Sequence, residues 1–122
     1  MQDVLDLLMG LTPPKLPEKQ TKIKRLSQEC GADVIFTLRA LPYNRVAEIR
    51  EGSTGDVSVE ILLAGVSAPN LRDKGLMEKY RAPTPAELVK TLLLPGEIET
   101  LAREVEKLSG YRSATVEDVK KN

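Results

Sequence analysis

The chain contains no histidine and no tryptophan, and it has a single cysteine, Cys30. Without histidine it lacks the commonest general base and the commonest transition-metal ligand. One cysteine can form no intrachain disulfide and cannot build a thiolate zinc site. With no imidazole to activate it, Cys30 reads as structural or incidental, and a lone thiol suits a reducing compartment. Aromatics are scarce: one Phe and three Tyr in 122 residues, so a core must come mainly from Leu, Val, Ile and Ala. Lys plus Arg and Asp plus Glu are both 18, so there is no charge excess of either sign. Nucleic-acid binders usually carry a basic excess or stripe, and none is implied here. Low net charge also removes a safeguard against association. No run is long enough to span a bilayer. The opening residues carry acids and no basic region, unlike a secretory signal. The expected location is the cytoplasm.

What is present is a chain of ordinary apolar content, 41% hydrophobic, sized for one domain. Val4, Leu5, Leu7, Leu8, Met9 and Leu11 form a short apolar segment that Asp3 can cap as a two-turn helix. Gly10 and Pro13-Pro14 stop it, and residues 12–19, with three prolines, read as an extended linker. A helix this short is marginal alone and needs a surface to lie on, its own domain or a partner.

Residues 20–122 read as a single α+β domain, with a β-hairpin at 20–41 and a helical part at 42–122. Residues 21–26 are expected as the first strand. In the second, over 33–40, Val34, Phe36, Leu38 and Ala40 share one face by the period of two, and Ile35, Thr37 and Arg39 share the other. Glu29-Cys30-Gly31-Ala32 supplies the turn. Two strands are barely stable alone, so helices must cover the apolar face.

About five helices are expected to follow. Pro42 leads one carrying Val46 and Ile49. Asp56 can cap a buried helix over 57–66, where alternation and helical spacing compete. Asn70 is expected to cap the next, carrying Leu71, Leu76 and Met77. Thr84-Pro85-Ala86-Glu87 is a capping box, followed by Leu88, Val89, Leu92 and Leu93 at helical spacing. Pro95 opens the clearest helix, with Ile98, Leu101, Ala102, Val105 and Leu108 in one stripe and Gly110 past its end. Ser113 or Thr115 is expected to cap a last short helix through Val119.

No constellation points to catalysis. Glu48 with Glu51, and Glu97 with Glu104, read as solvated helix faces rather than an acid pair. Gly52-Ser53-Thr54-Gly55-Asp56 lacks the lysine of a phosphate-binding loop. Lys19, Lys22, Lys24 and Arg25 have no interleaved aromatics for base stacking, and a wet strand face explains them. The residues describe a binding module, with no enzyme activity, metal or cofactor expected.

Three segments resemble XkdN-like phage tail assembly chaperones. The first is Phe36-Thr37-Leu38-Arg39-Ala40-Leu41-Pro42-Tyr43. The second runs from Pro69-Asn70-Leu71 through Met77-Glu78-Lys79-Tyr80 to Thr84-Pro85-Ala86-Glu87-Leu88. The third is Leu94-Pro95-Gly96-Glu97-Ile98 with Leu108-Ser109-Gly110-Tyr111 and a Lys-Asn ending. The resemblance covers residues 20–122. It implies a phage or prophage protein that acts in the host cytoplasm, is absent from the mature virion, and binds the tape measure protein during tail assembly. The tail tube protein and a longer, frameshifted form of the chain itself are further implied partners. Neither nucleic acid nor a membrane is expected as a partner, and self-association stays open. The alternative is a structural tail completion or connector subunit. Shielding a helical partner requires leftover apolar surface. The candidates are Val4, Leu5, Leu7, Leu8 and Met9, with Leu88, Leu92 and Leu93 wherever their helix is exposed.

Overall fold

A computed structural model describes residues 3–13, 15–53, 55–112 and 114–119. In chain order these form helix α1 (Val4–Met9), strand β1 (Glu18–Lys22), helix α2 (Lys24–Cys30), strand β2 (Ile35–Arg39) and helices α3 (Tyr43–Gly52) and α4 (Val57–Gly65). Strand β3 (Val66–Ala68) and helices α5 (Lys74–Lys79), α6 (Pro85–Leu92) and α7 (Pro95–Leu108) complete the order. The sheet runs β1-β2-β3, antiparallel throughout. The architecture is α+β, a hairpin followed by mostly helical chain, as the sequence pattern implies.

The second strand lies where the alternation puts it. Phe36, Leu38 and Ala40 are buried, while Ile35 and Arg39 face outward. The first strand starts three residues earlier than the expected residue 21. It is Glu18–Lys22, paired from Glu18 against Arg39 to Lys22 against Ile35. It has no aliphatic residue, so hydrophobic pattern could not find it. Residues 24–26, expected as strand, begin α2 instead. Ile23, Leu26 and Ser27 are buried at spacings of three and one, which is helical. The Ser27 hydroxyl donates to Ile23 O at 2.8 Å and accepts from Val34 N at 2.8 Å, closing the connection. Gly31 ends α2 in the left-handed conformation at φ 70°, where a side chain would be strained.

β3, three residues long, has no counterpart in the sequence pattern. It follows α4 directly and pairs with β2 across an irregularity between Thr37 and Leu38. The helix before it runs Val57–Gly65, capped by Asp56, whose carboxylate accepts from Ser58 N at 2.8 Å. α5 starts later than Asn70. The Asn70 side chain accepts from Arg72 N in a local turn, and Asp73 is the cap, accepting from Leu76 N at 2.9 Å. Thr84 caps α6 as expected, its hydroxyl accepting from Glu87 N at 3.1 Å. The expected last helix is not formed: residues 114–119 have no regular structure, and Ser113 lies outside the described residues. A helix of one turn, with Val116 and Val119 both exposed, has no surface to stabilise it.

The core lies where α4 and α7 cross over the inner face of β2. Val59, Leu62, Val89 and Val105 are almost wholly buried there with Phe36 and Leu38. Gly65 permits the crossing. A methyl group built on it would stand 2.5 Å from both Val105 methyl carbons, well inside van der Waals contact.

Ion pairs and polar bonds tie the hairpin to the helices. Arg25 of α2 donates from Nε and Nη2 to the two Glu97 oxygens at 3.2 and 2.8 Å, and from Nη2 to Leu92 O at 3.0 Å. The Glu97 carboxylate also accepts from Leu94 N at 2.8 Å. One clasp therefore holds α2, the end of α6 and the start of α7. Lys19 of β1 donates to Glu104 of α7, and Lys22 pairs with Asp33 at 3.0 Å. Glu97 and Glu104 thus each serve a cation rather than one another. The Arg25 hydrogen bond, with lesser help from Leu94 N, holds the Glu97 carboxyl below the usual carboxylate range, against a smaller opposing effect of burial. Lys19 does the same to Glu104.

Two outcomes follow from this packing. Gly65→Ala lowers the unfolding free energy by about 1–3 kcal/mol, the usual range for overpacking, read from the urea midpoint. Adding Val105→Ala makes room, so the double variant loses less than the sum of the single losses; additive losses would refute the contact. The second outcome concerns acid. Because Glu97 has a depressed pKa, its contribution is fully present above the ordinary value near ~4.3 and is lost as pH falls through the lower folded value. Glu97→Gln flattens that part of the stability–pH curve and lowers stability at neutral pH. An unchanged acid slope in urea titrations would contradict the assignment.

Candidate partner-binding surface

The apolar side chains proposed from sequence for partner contact fall into two groups in space. Leu88 and Leu93 are 0% and 3% exposed. Leu93 belongs to the core under α4 and α7, and Leu92 is half-buried against it. The reason is the amphipathic face of α6: the stripe that suggested a sticky surface is already covered by the chain's own helices. These three leucines offer no open binding face.

The other group is open. Val4, Leu5, Leu7, Leu8 and Met9 are 56–77% exposed, and Leu11 after them is 63% exposed. No residue of α1 is buried. The helix forms from local signals alone. Asp3 accepts from Asp6 N at 2.9 Å as the N-cap, and Gly10 N donates to Asp6 O at 3.1 Å at the other end. The apolar residues occupy most of its circumference, so they form a cylinder rather than a stripe. Contiguous exposed apolar surface of this kind marks an interaction site far more often than scattered single residues do. The link to the body runs through residues 11–17, without regular structure where described, to Pro17, whose carbonyl accepts from Ala40 N at 2.9 Å.

Elsewhere the described surface carries ion pairs such as Arg45 with Glu48 and Lys90 with Glu87, and exposed apolar residues at Leu16, Val116 and Val119. Ile35, Tyr43, Val57, Tyr80 and Leu94 are exposed, but each stands on a different element or turn. Cys30 is exposed at the end of α2. Lys19, Lys22 and Arg25 of the basic cluster all sit in ion pairs. Among the described residues, no group of three His, Cys, Asp or Glu side chains is placed to hold a metal ion, and no helix is long and apolar enough to cross a membrane. The signal for the open site was already in the sequence, in the apolar run of residues 4–11. The burial of Leu88 and Leu93 was not, because an amphipathic helix reads alike whether its apolar face meets its own domain or another.

Because α1 contributes nothing to the core, Leu5→Asp with Leu8→Asp leaves the thermal midpoint within about 1 °C of the unaltered protein, as surface substitutions normally do. A fall of several degrees in scanning calorimetry would mean that α1 packs on the body.

Comparison with known proteins gives two matches. The family model for phage XkdN-like tail assembly chaperone proteins matches residues 5–121. The crystal structure of the protein YqbN is similar in fold, with a TM-score of 0.65 and 21% identity over 91% of this chain and 98% of that one. No curated protein matches the chain.

Proposed function

The chain belongs to the XkdN-like phage tail assembly chaperone family, and from that premise we propose that it binds the tape measure protein and shields it until the tail tube closes around it. The observation that carries this reading is the exposed apolar cylinder of α1, which the fold displays and does not use. A tape measure chain is long and helical and shows apolar stripes before assembly. A helper that covers those stripes suppresses aggregation by mass action, since it binds the exposed form and removes it from self-association. The contact is of the helix-in-groove type, with apolar anchors at helical spacing meeting an apolar stripe on the partner. Binding is the whole of the activity: no step of bond making is involved. The tail tube protein and a longer frameshifted form of the chain are further partners of the same assembly, and the chaperone acts in the host cytoplasm and stays out of the finished particle.

Co-expression with the tape measure protein of the same phage tests this. The tape measure protein is expected to stay in the supernatant and to co-purify with the chain. It is expected to precipitate when residues 3–11 are deleted. No co-purification with the unaltered chain would end the proposal. Mass spectrometry of purified particles separates the second reading. A chaperone is absent from them, whereas a completion or connector subunit is present in fixed proportion.

A further inference from the structure

We infer that Arg81 is a partner-binding residue, held in a strained backbone conformation so that its guanidinium is free to take a carboxylate of the partner helix. The inference rests on the shielding role proposed above and adds a contact on the body, apart from α1.

The backbone gives the first observation. Arg81 and Arg112 are the two residues other than glycine with a left-handed φ among the described residues, at 53° and 57°. Arg81 follows the last turn of α5. Its N–H donates to Glu78 O at 3.1 Å, and Ala82 N donates to Met77 O at 2.8 Å. These two bonds close the helix in the arrangement that usually puts glycine at the left-handed position. The chain follows that rule at the end of α7. There Gly110 N donates to Lys107 O and Tyr111 N to Glu106 O, both at 3.0 Å, and Gly110 has a φ of 94°. The same turn is thus built once with glycine and once with arginine. A residue with a side chain is strained in this conformation where glycine is not, and retained strain points to a use for the side chain.

The side chain gives the second observation. The Arg112 guanidinium has a partner inside the chain, Glu106 at 3.6 Å. The Arg81 side chain makes no hydrogen bond or ion pair with the described residues. It lines an open groove with Lys74, Met77, Glu78, Ala82 and Pro83. Around that groove the bases Arg72, Lys74, Lys79 and Arg81 face two acids, Asp73 and Glu78. The Asp73 carboxylate is already taken up by Leu76 N at 2.9 Å. Apolar side chains edged mainly by bases complement an apolar stripe edged by acids, and a guanidinium holds a carboxylate through two parallel bonds.

Other occupants are disfavoured on the same chemistry. A nucleic acid would set its phosphates against Met77, Ala82, Pro83 and the Glu78 carboxylate. A second copy could offer α1 as an open apolar helix. However, Asp3 is engaged as the cap of that helix, and the groove at its root carries Lys15 and Arg39, so base would meet base. The carboxylate is therefore assigned to the foreign helix.

Titration calorimetry with the purified tape measure protein of the same phage, beside scanning calorimetry of the chain alone, tests this assignment. Arg81→Gly relieves the backbone and removes the charge. Its melting midpoint is expected to rise by about 2–5 °C. Its binding is expected to weaken about tenfold or more, as for the loss of a charged hydrogen bond. Arg81→Lys keeps the charge and is expected to bind more tightly than Arg81→Gly. A midpoint that fails to rise in Arg81→Gly overturns the inference, because no strain was there. Arg81→Gly binding as tightly as the unaltered chain, or Arg81→Lys losing as much as Arg81→Gly, also overturns it and leaves the shielding role standing on α1. No binding by the unaltered chain overturns both. Sedimentation of the chain alone is expected to show a monomer. A dimer abolished by Arg81→Gly would put the carboxylate on a second copy, and duplex DNA held by the unaltered chain but not by Arg81→Gly would make the anion a phosphate; either overturns the choice of partner.

Discussion

The structure depends on how closely α4 and α7 can approach over β2. A chain with one Phe and no Trp cannot fill a wide space between helices with large rings. Its core is aliphatic, so the layers must come close to reach native packing density. Gly65 allows this by placing bare backbone against the Val105 methyls. The contact lies at the C-terminal end of α4, where the chain passes directly into β3. The same residue therefore fixes the helix crossing and the point at which the third strand joins the sheet. Leu62, Val89 and Val105 are sealed as a consequence.

Around that contact the seams are polar, and each is satisfied. β1 has no aliphatic side chain to hold it, so its attachment comes from pairing with β2 and from Lys19 on Glu104. α2 is anchored by the Arg25–Glu97 clasp, which also accounts for a carbonyl at the end of α6 and an amide at the start of α7. A fork of two parallel bonds fixes orientation as well as distance, which lysine could not do. Ser27 and Ser109 play the same part with neutral hydroxyls, each donating to its own helix and accepting a backbone amide from the chain beside it. Among the described residues no buried side-chain nitrogen or oxygen lacks a partner. Many of the charges counted in the neutral total are thus taken up in joining elements.

What could be read in the sequence follows from this division. Elements held by their own hydrophobic pattern were legible: β2 through Phe36, Leu38 and Ala40, and α7 through Ile98, Leu101, Ala102 and Val105. So were those announced by a cap, such as α6 behind Thr84. Elements held by partners distant in sequence were not. β1 is a strand because β2 lies beside it, and nothing in Glu18–Lys22 says so. α2 hides because Ile23 and Leu26 suit either period, and Ser27 decides only once Val34 is near. β3 is too short to carry a pattern. The open site was half legible. Local composition marked residues 4–11 as an apolar helix capped by Asp3 and left open whether it lies on its own domain; the structure leaves it exposed. Leu88 and Leu93 misled, because burial belongs to the fold and not to the residue.

The same division shows why the proposed partner contact lies outside the core. A body whose apolar faces are matched and whose seams are paired has little apolar surface left to offer a partner. Enlarging its surface stickiness would mean opening the core or breaking a clasp, at a cost to a domain with few large side chains to spare. Short segments outside the core escape that conflict. α1 needs only Asp3 and Gly10 to turn, and its side chains can be as apolar as the partner requires without disturbing Gly65 or Arg25. A linker of several residues, rich in proline, restricts the search of such a segment more than a flexible one would, since each proline fixes a backbone angle before binding. On the proposed reading, stability and recognition therefore rest on different residues, and the apolar segment of residues 4–11 can change while the folded core stays as it is.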